Sequence, residues 1–197
     1  VWSGAGNIFV QNGAPFWNEA GGVFEVQNDA VYQKDPWSAA GSFHNVGVFR
    51  KTGGGGTTTV DDISFHNTGT VELADGTLAV SGAFNNDGLV QVGGGTLVLS
   101  GGGTSGGWME VDQDQMVRIT GGTHTLDEGS GWVGAGNVQI SGGTVNVAGA
   151  AGAERLELSG GTLGGSGVLT VTNVMDWTGG TMGGSGATVI AAGATLN

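Results

Sequence analysis

A Gly-Gly-Thr or Gly-Thr step returns along the chain at Thr77, Thr96, Thr123, Thr144, Thr162 and Thr181. Most intervals lie near ~19 residues, too short for a two-helix repeat of about 33 or more. Apolar residues alternate with polar ones around each step. Val71, Val90, Val117, Val138, Leu156 and Met175 precede the threonines by six positions. Leu73, Val92, Ile119, Ile140, Leu158 and Trp177 precede them by four. Between these two sets every residue is polar: Glu72, Gln91, Arg118, Gln139, Glu157 and Asp176. This two-residue period marks a strand with one buried face. After the corner, Leu78, Leu97, His124, Val145, Leu163 and Met182 begin a second inward series.

Short parallel strands joined by glycine corners build a stack, each turn at the strand spacing of about 4.8 Å from the last. One turn cannot bury its own apolar face, and neighbours bury it together. The expected fold is therefore all-β: a right-handed parallel β-solenoid of about 19–20 residues per turn, the hand following the default for parallel crossovers. Composition agrees. There are 44 glycines among 197 residues, too many for helices, where each glycine costs roughly 1 kcal/mol. With two prolines and no fixed Gly-x-y period, the chain is not collagen. No Asn-Gly hairpin pairs adjacent strands convincingly, which disfavours a sandwich.

A second marker reads Phe43-His44-Asn45, Phe65-His66-Asn67 and Phe84-Asn85-Asn86. The aromatic is expected to fill a wide part of the core, with Asn and the following Gly supplying turn conformations. The chain divides into less regular, aromatic-rich turns over residues 1–64 and regular turns over residues 65–197, in one continuous domain. Trp2-Ser-Gly-Ala-Gly-Asn returns as Trp132-Val-Gly-Ala-Gly-Asn, a reused corner or a larger duplication. The ends carry no amphipathic cap. Val1 and Trp2 read as mid-strand, and Ala194 and Leu196 continue the ladders of Met175 and Trp177. Uncapped edges invite further pairing. Two readings stay open: an excerpt of a longer repetitive protein, or end-to-end stacking of copies into an open fibre.

Runs such as Phe65-His-Asn-Thr-Gly-Thr-Val-Glu-Leu-Ala-Asp-Gly-Thr-Leu-Ala-Val-Ser-Gly and Leu156-Glu-Leu-Ser-Gly-Gly-Thr-Leu-Gly-Gly-Ser-Gly resemble the repeats of very large bacterial surface proteins. These are the autotransporter-passenger and filamentous-haemagglutinin-like β-solenoids. The resemblance implies an adhesin, matrix fibre or rigid stalk at the bacterial surface or outside the cell. It carries over no functional residue, because such repeats share none.

Little else points to chemistry. A net charge of −12 with five basic residues opposes binding to nucleic acid or anionic lipid. Absence of cysteine removes disulfides and thiolate metal sites. Gly164-Gly-Ser-Gly-Val and Gly183-Gly-Ser-Gly-Ala lack the aspartate of a calcium-binding roll, and no cofactor is implied. Asp61-Asp62 and Asp112 with Asp114 offer carboxylate oxygens of the type calcium takes, against the ordinary reading of solvated loop acids. Glu157, Asp176 and Arg155 face outward together, as a glycosidase pair or as an arginine offsetting two acids. The long interval from Thr96 to Thr123 reads as an enlarged turn with a binding loop. There Trp108, Asp112, Asp114 and Arg118 form a candidate ligand surface, with glycans as the alternative partner. His124 reads as a core histidine, and His44 and His66 as a stacked corner pair.

Overall fold

The computed structural model describes residues 1–197. It is a parallel β-solenoid of about nine turns, without a helix. Each turn carries three short strands, so the rod has three faces, a finer division than the two-strand turn read from the sequence. The first face stacks Thr57–Asp61, Thr77–Val80, Thr96–Leu99, Met116–Ile119 and Asn137–Ile140. The second stacks Pro15–Asn18, Ser42–Asn45, Ser64–Asn67 and Phe84–Asn86, and continues through Thr123–Leu126 and Thr144–Val147. The third stacks Val23–Val26, Val48–Lys51, Thr70–Leu73, Leu89–Val92 and Trp108–Val111. Two longer strands, Ala150–Leu158 and Val168–Trp177, run from the third face round into the first without a break.

The alternation read from the sequence is the burial pattern found. Val71, Leu73, Val90, Val92, Val117, Ile119, Val138 and Ile140 are all buried. The phase, however, slips between Thr96 and Thr123. Thr77 and Thr96 pair with each other on the first face, and the next residue in that ladder is Met116. Thr123, Thr144, Thr162 and Thr181 form a ladder on the second face. The wide interval is thus one ordinary turn plus one face, and the enlarged turn does not exist. A Gly-Gly corner serves wherever the backbone turns tightly, so two different corners carry the same tripeptide. Likewise Leu73 and Val92 continue to Val111, while Ile119 follows Leu99.

Inside the second face a phenylalanine stack runs along the axis. Phe16, Phe43, Phe65 and Phe84 have successive centroid distances of 4.9, 5.0 and 5.5 Å. Beside it lies a ladder the sequence disguised. Asn18, Asn45, Asn67 and Asn86 point into the core, not into turns, and none has positive φ. Each Nδ2 donates to the next Oδ1: Asn18 to Asn45 at 2.7 Å, Asn45 to Asn67 at 2.8 Å, Asn67 to Asn86 at 2.7 Å. The second Nδ2 hydrogen of Asn18, Asn45 and Asn67 goes to the main-chain oxygen of Val48, Thr70 and Leu89 respectively. A buried amide costs free energy unless its partners are present, and here the neighbouring turns supply them.

Near the ends the register departs from expectation. Leu196 pairs with Met175, not Trp177, and the Ala194 N–H donates to Ala191 O within a turn. Trp177 keeps its ladder position beside Leu158 but is 43% exposed, where the alternation predicts a core residue. Trp2 bridges Val26 on the third face and Trp132 pairs with Met109 there, so both Trp-x-Gly-Ala-Gly-Asn runs lead from the third face to the first, but two ladder positions out of register with each other.

Candidate functional site

Outward positions of the third face form two lanes. One runs Val48, Thr70, Leu89, Trp108. The other runs Glu25, Arg50, Glu72, Gln91, Glu110. The Trp108 indole lies across Gly131 in the next turn. A Cβ there would sit 2.8 Å from its Cζ3, so glycine is what lets the ring lie down. In the polar lane Arg50 is ion-paired with Glu72, and Gln91 Nε2 donates to Glu110 Oε2 at 2.9 Å. Bonds from Gln27 and Thr52 hold the Glu25 carboxyl below the usual carboxylate range. The bond and charge of Glu72 push the Arg50 guanidinium further up. Glu72, Gln91, Glu110 and Asp112 line an open groove of about 260 Å³ over Leu73 and Gly93.

The ligand surface expected from sequence is divided by this geometry. Trp108 belongs to the third face. Asp112 and Asp114 sit at the corner between faces, where Asp114 adopts φ 66°. Arg118 is on the first face and donates from Nε to Gln139 Oε1 at 3.0 Å. Asp112 lines the groove, Trp108 lies in the neighbouring outward lane, and Arg118 points from another wall of the rod. The region looked like one site because the interval was read as one loop.

The other candidates also find local partners. Glu157 and Asp176 are register neighbours, as expected. Glu157 accepts from Asn137 Nδ2 at 2.9 Å and Gln139 Nε2 at 2.8 Å, Asp176 accepts from Asn197, and Arg155 pairs with neither. Asp61 accepts from Ser81 Oγ at 2.6 Å, while Asp62 is ion-paired with Lys34. Ser100, Thr120, Ser141 and Ser159 each donate back to the carbonyl oxygen of the preceding turn, at 3.3 to 3.4 Å.

On the outside of the second face, Trp17, His44 and His66 stack flat, with centroid distances of 4.0 and 4.7 Å. The histidine pair was legible from sequence; its continuation into Trp17 was not. Desolvation and the adjacent His66 lower the His44 pKa. His44 Nε2 shares a hydrogen bond with Ser42 Oγ at 2.8 Å, and His66 Nδ1 with Asn85 Nδ2 at 3.3 Å. His124 is buried between Gly103 and Val145, its Nε2 bonded to Gly121 O at 3.1 Å. Burial lowers its pKa, and the Gly121 bond opposes that in part. Leu97, expected beside it, lies on the first face.

Trp37 is 95% exposed at the tip of the segment following Val31–Lys34. The Asp35 side chain holds that tip by accepting from Trp37 N–H at 3.1 Å and Gln11 Nε2 at 3.1 Å.

Compared with protein-family models, with characterised proteins and with solved structures, the chain matches none.

Proposed function

We propose that this chain is a non-enzymatic structural rod: a β-solenoid segment of a secreted bacterial surface fibre or adhesin. The observation that carries the reading is where the polar chemistry goes. The buried amides, the corner hydroxyls and most outward acids bond to the turn above or below, along the axis. Such bonding resists bending and separation of turns, which suits a stalk. The acidic surface keeps neighbouring rods apart and disfavours nucleic acid.

The partners in this reading are further solenoid turns, contributed by a second copy stacked head to tail or by adjoining repeats of a longer chain. Exposed apolar side chains on the terminal layers, Val1, Phe16 and Val23 at one end and Trp177, Val189 and Leu196 at the other, support such contacts. Light scattering and electron microscopy across a concentration series test this. Rods that lengthen with concentration support head-to-tail copies. Monomers at high concentration reject them and leave adjoining repeats.

The Trp108 lane beside the acid and amide lane favours one second reading, a glycan lying along the third face. An aromatic face stacks on a sugar ring while amides and carboxylates take its hydroxyls. Trp108→Ala is expected to weaken glycan-array binding at least tenfold without changing the melting curve. An array blank for the unaltered protein removes this reading and leaves the rod untouched.

A further inference from the structure

Lys51 occupies an inward position of the third face, in register with Val26 and Leu73, and is 0% exposed. Its Nζ donates to the main-chain oxygens of Gly53 at 2.7 Å, Gly54 at 2.8 Å and Asn28 at 3.1 Å, and to Asp29 Oδ1 at 3.3 Å. The oxygens come from two successive turns: residues 28–29 from one corner, residues 53–54 from the corner stacked on it.

The Asn28–Asp29 half of this shell is held by bonds that do not involve the lysine. Asn28 O also accepts from Thr58 Oγ1 at 2.5 Å. Asn28 Nδ2 donates to Trp2 O and Gly4 O, at 3.0 and 2.9 Å, and its Oδ1 accepts from Ala30 N–H at 3.1 Å. Asp29 Oδ2 accepts from Gly56 N–H at 3.2 Å. Three carbonyl oxygens and a carboxylate oxygen thus converge on one point, a hard-oxygen set of the kind cations take. The distances exceed the about 2.3–2.6 Å of calcium ligation. They suit a larger, singly charged ion.

We propose that this corner is a monovalent-cation site that the chain fills with its own ammonium, and that it takes potassium or a small primary ammonium ion once the Lys51 side chain is removed. The tethered charge fastens the Gly53–Gly56 loop to the turn before it without a dissociable ion. Without a cation, three carbonyl oxygens and the Asp29 carboxylate face one another.

Melting curves of the unaltered protein, Lys51→Ala and Lys51→Met, in equal concentrations of potassium, methylammonium and tetramethylammonium chloride, test this. Lys51→Ala is expected to melt lowest in tetramethylammonium and to regain at least half its lost midpoint in potassium or methylammonium. Lys51→Met, whose stem still fills the channel, stays low in every salt, and the unaltered protein does not distinguish the salts. A flat response from Lys51→Ala, or an equal response from the unaltered protein, overturns the proposal. Should Lys51→Ala fail to fold, nitrogen-15 NMR of the unaltered protein decides. The Lys51 ammonium protons are expected to exchange at least tenfold more slowly than those of Lys34, and equal rates overturn the proposal.

Discussion

Single residues in this fold matter through the ladder they belong to. Asn67 is the clearest case, since it both donates within the asparagine series and accepts from Asn45. Asn67→Ala leaves the Asn45 Nδ2 and Asn86 Oδ1 facing a gap. A buried group left unpaired costs about 1–3 kcal/mol, so a loss of about 2–5 kcal/mol is expected in urea unfolding. His124 gives a different signature. Its pKa is lowered in the fold, so on acidification the unfolded chain takes up a proton first. Stability should therefore be complete above the ordinary histidine value of about 6.5 and fall as the pH drops through it. The fall stops below the lowered folded value. His44 adds a change of the same sign. His124→Leu is expected to reduce the drop in urea midpoint between pH 7.5 and 5.5, and an unchanged drop would assign the effect to His44. At this scale the sequence was readable where chemistry follows pattern. His124 stood in an apolar series, so its burial followed. Asn45 and Lys51 did not announce themselves: Asn before Gly spells a turn, and Lys spells a surface. The available signal was alternation, since Phe43/Asn45 and Phe49/Lys51 share the spacing of Val71/Leu73.

Strands and corners obey a stricter rule than composition suggests. At Gly69 an added Cβ would lie 2.2 Å from Gly47 O, a backbone atom held by its own turn. Gly69→Ala is expected to cost about 1–3 kcal/mol or more, the price of overpacking a site that cannot move. At Gly55 an added Cβ meets nothing within 4 Å. Gly55→Ala should be neutral or stabilise by about 0.4–1 kcal/mol through the unfolded chain. Thermal unfolding of the pair separates crowded corners from open ones, and a Gly69→Ala protein as stable as the unaltered one would refute the packing described. The same contrast explains what went astray in the element phase. Strand, corner and inward side were legible from alternation. Which of three corners a Gly-Gly-Thr marks was not, because each corner crowds the backbone in the same way. The candidate ligand surface inherited that error, and Arg118 ended on a different wall from Trp108.

The whole molecule behaves as a sum of turns and the contacts between them. Residues 144–161 span one register repeat, since Thr144 pairs with Thr162. Deleting them should bring Thr123 against Thr162 and leave a folded, shorter rod with a lower urea midpoint. Deleting half that length should put all three faces out of register across that one junction. Circular dichroism and hydrogen exchange check both outcomes, and a half-turn deletion that folds as well as the full one would contradict the register. One feature of the interior also gives the rod a direction. Asn18, Asn45, Asn67 and Asn86 all donate toward the C-terminal turn, and Asn45, Asn67 and Asn86 accept from the N-terminal one. The side-chain dipoles line up like arrows, reinforcing the parallel strands, and a copy laid upside down against the N-terminal end would bring the Asn18 Oδ1 acceptor against its own counterpart. The rod therefore has a front and a back of its own, set by side chains that never reach its surface.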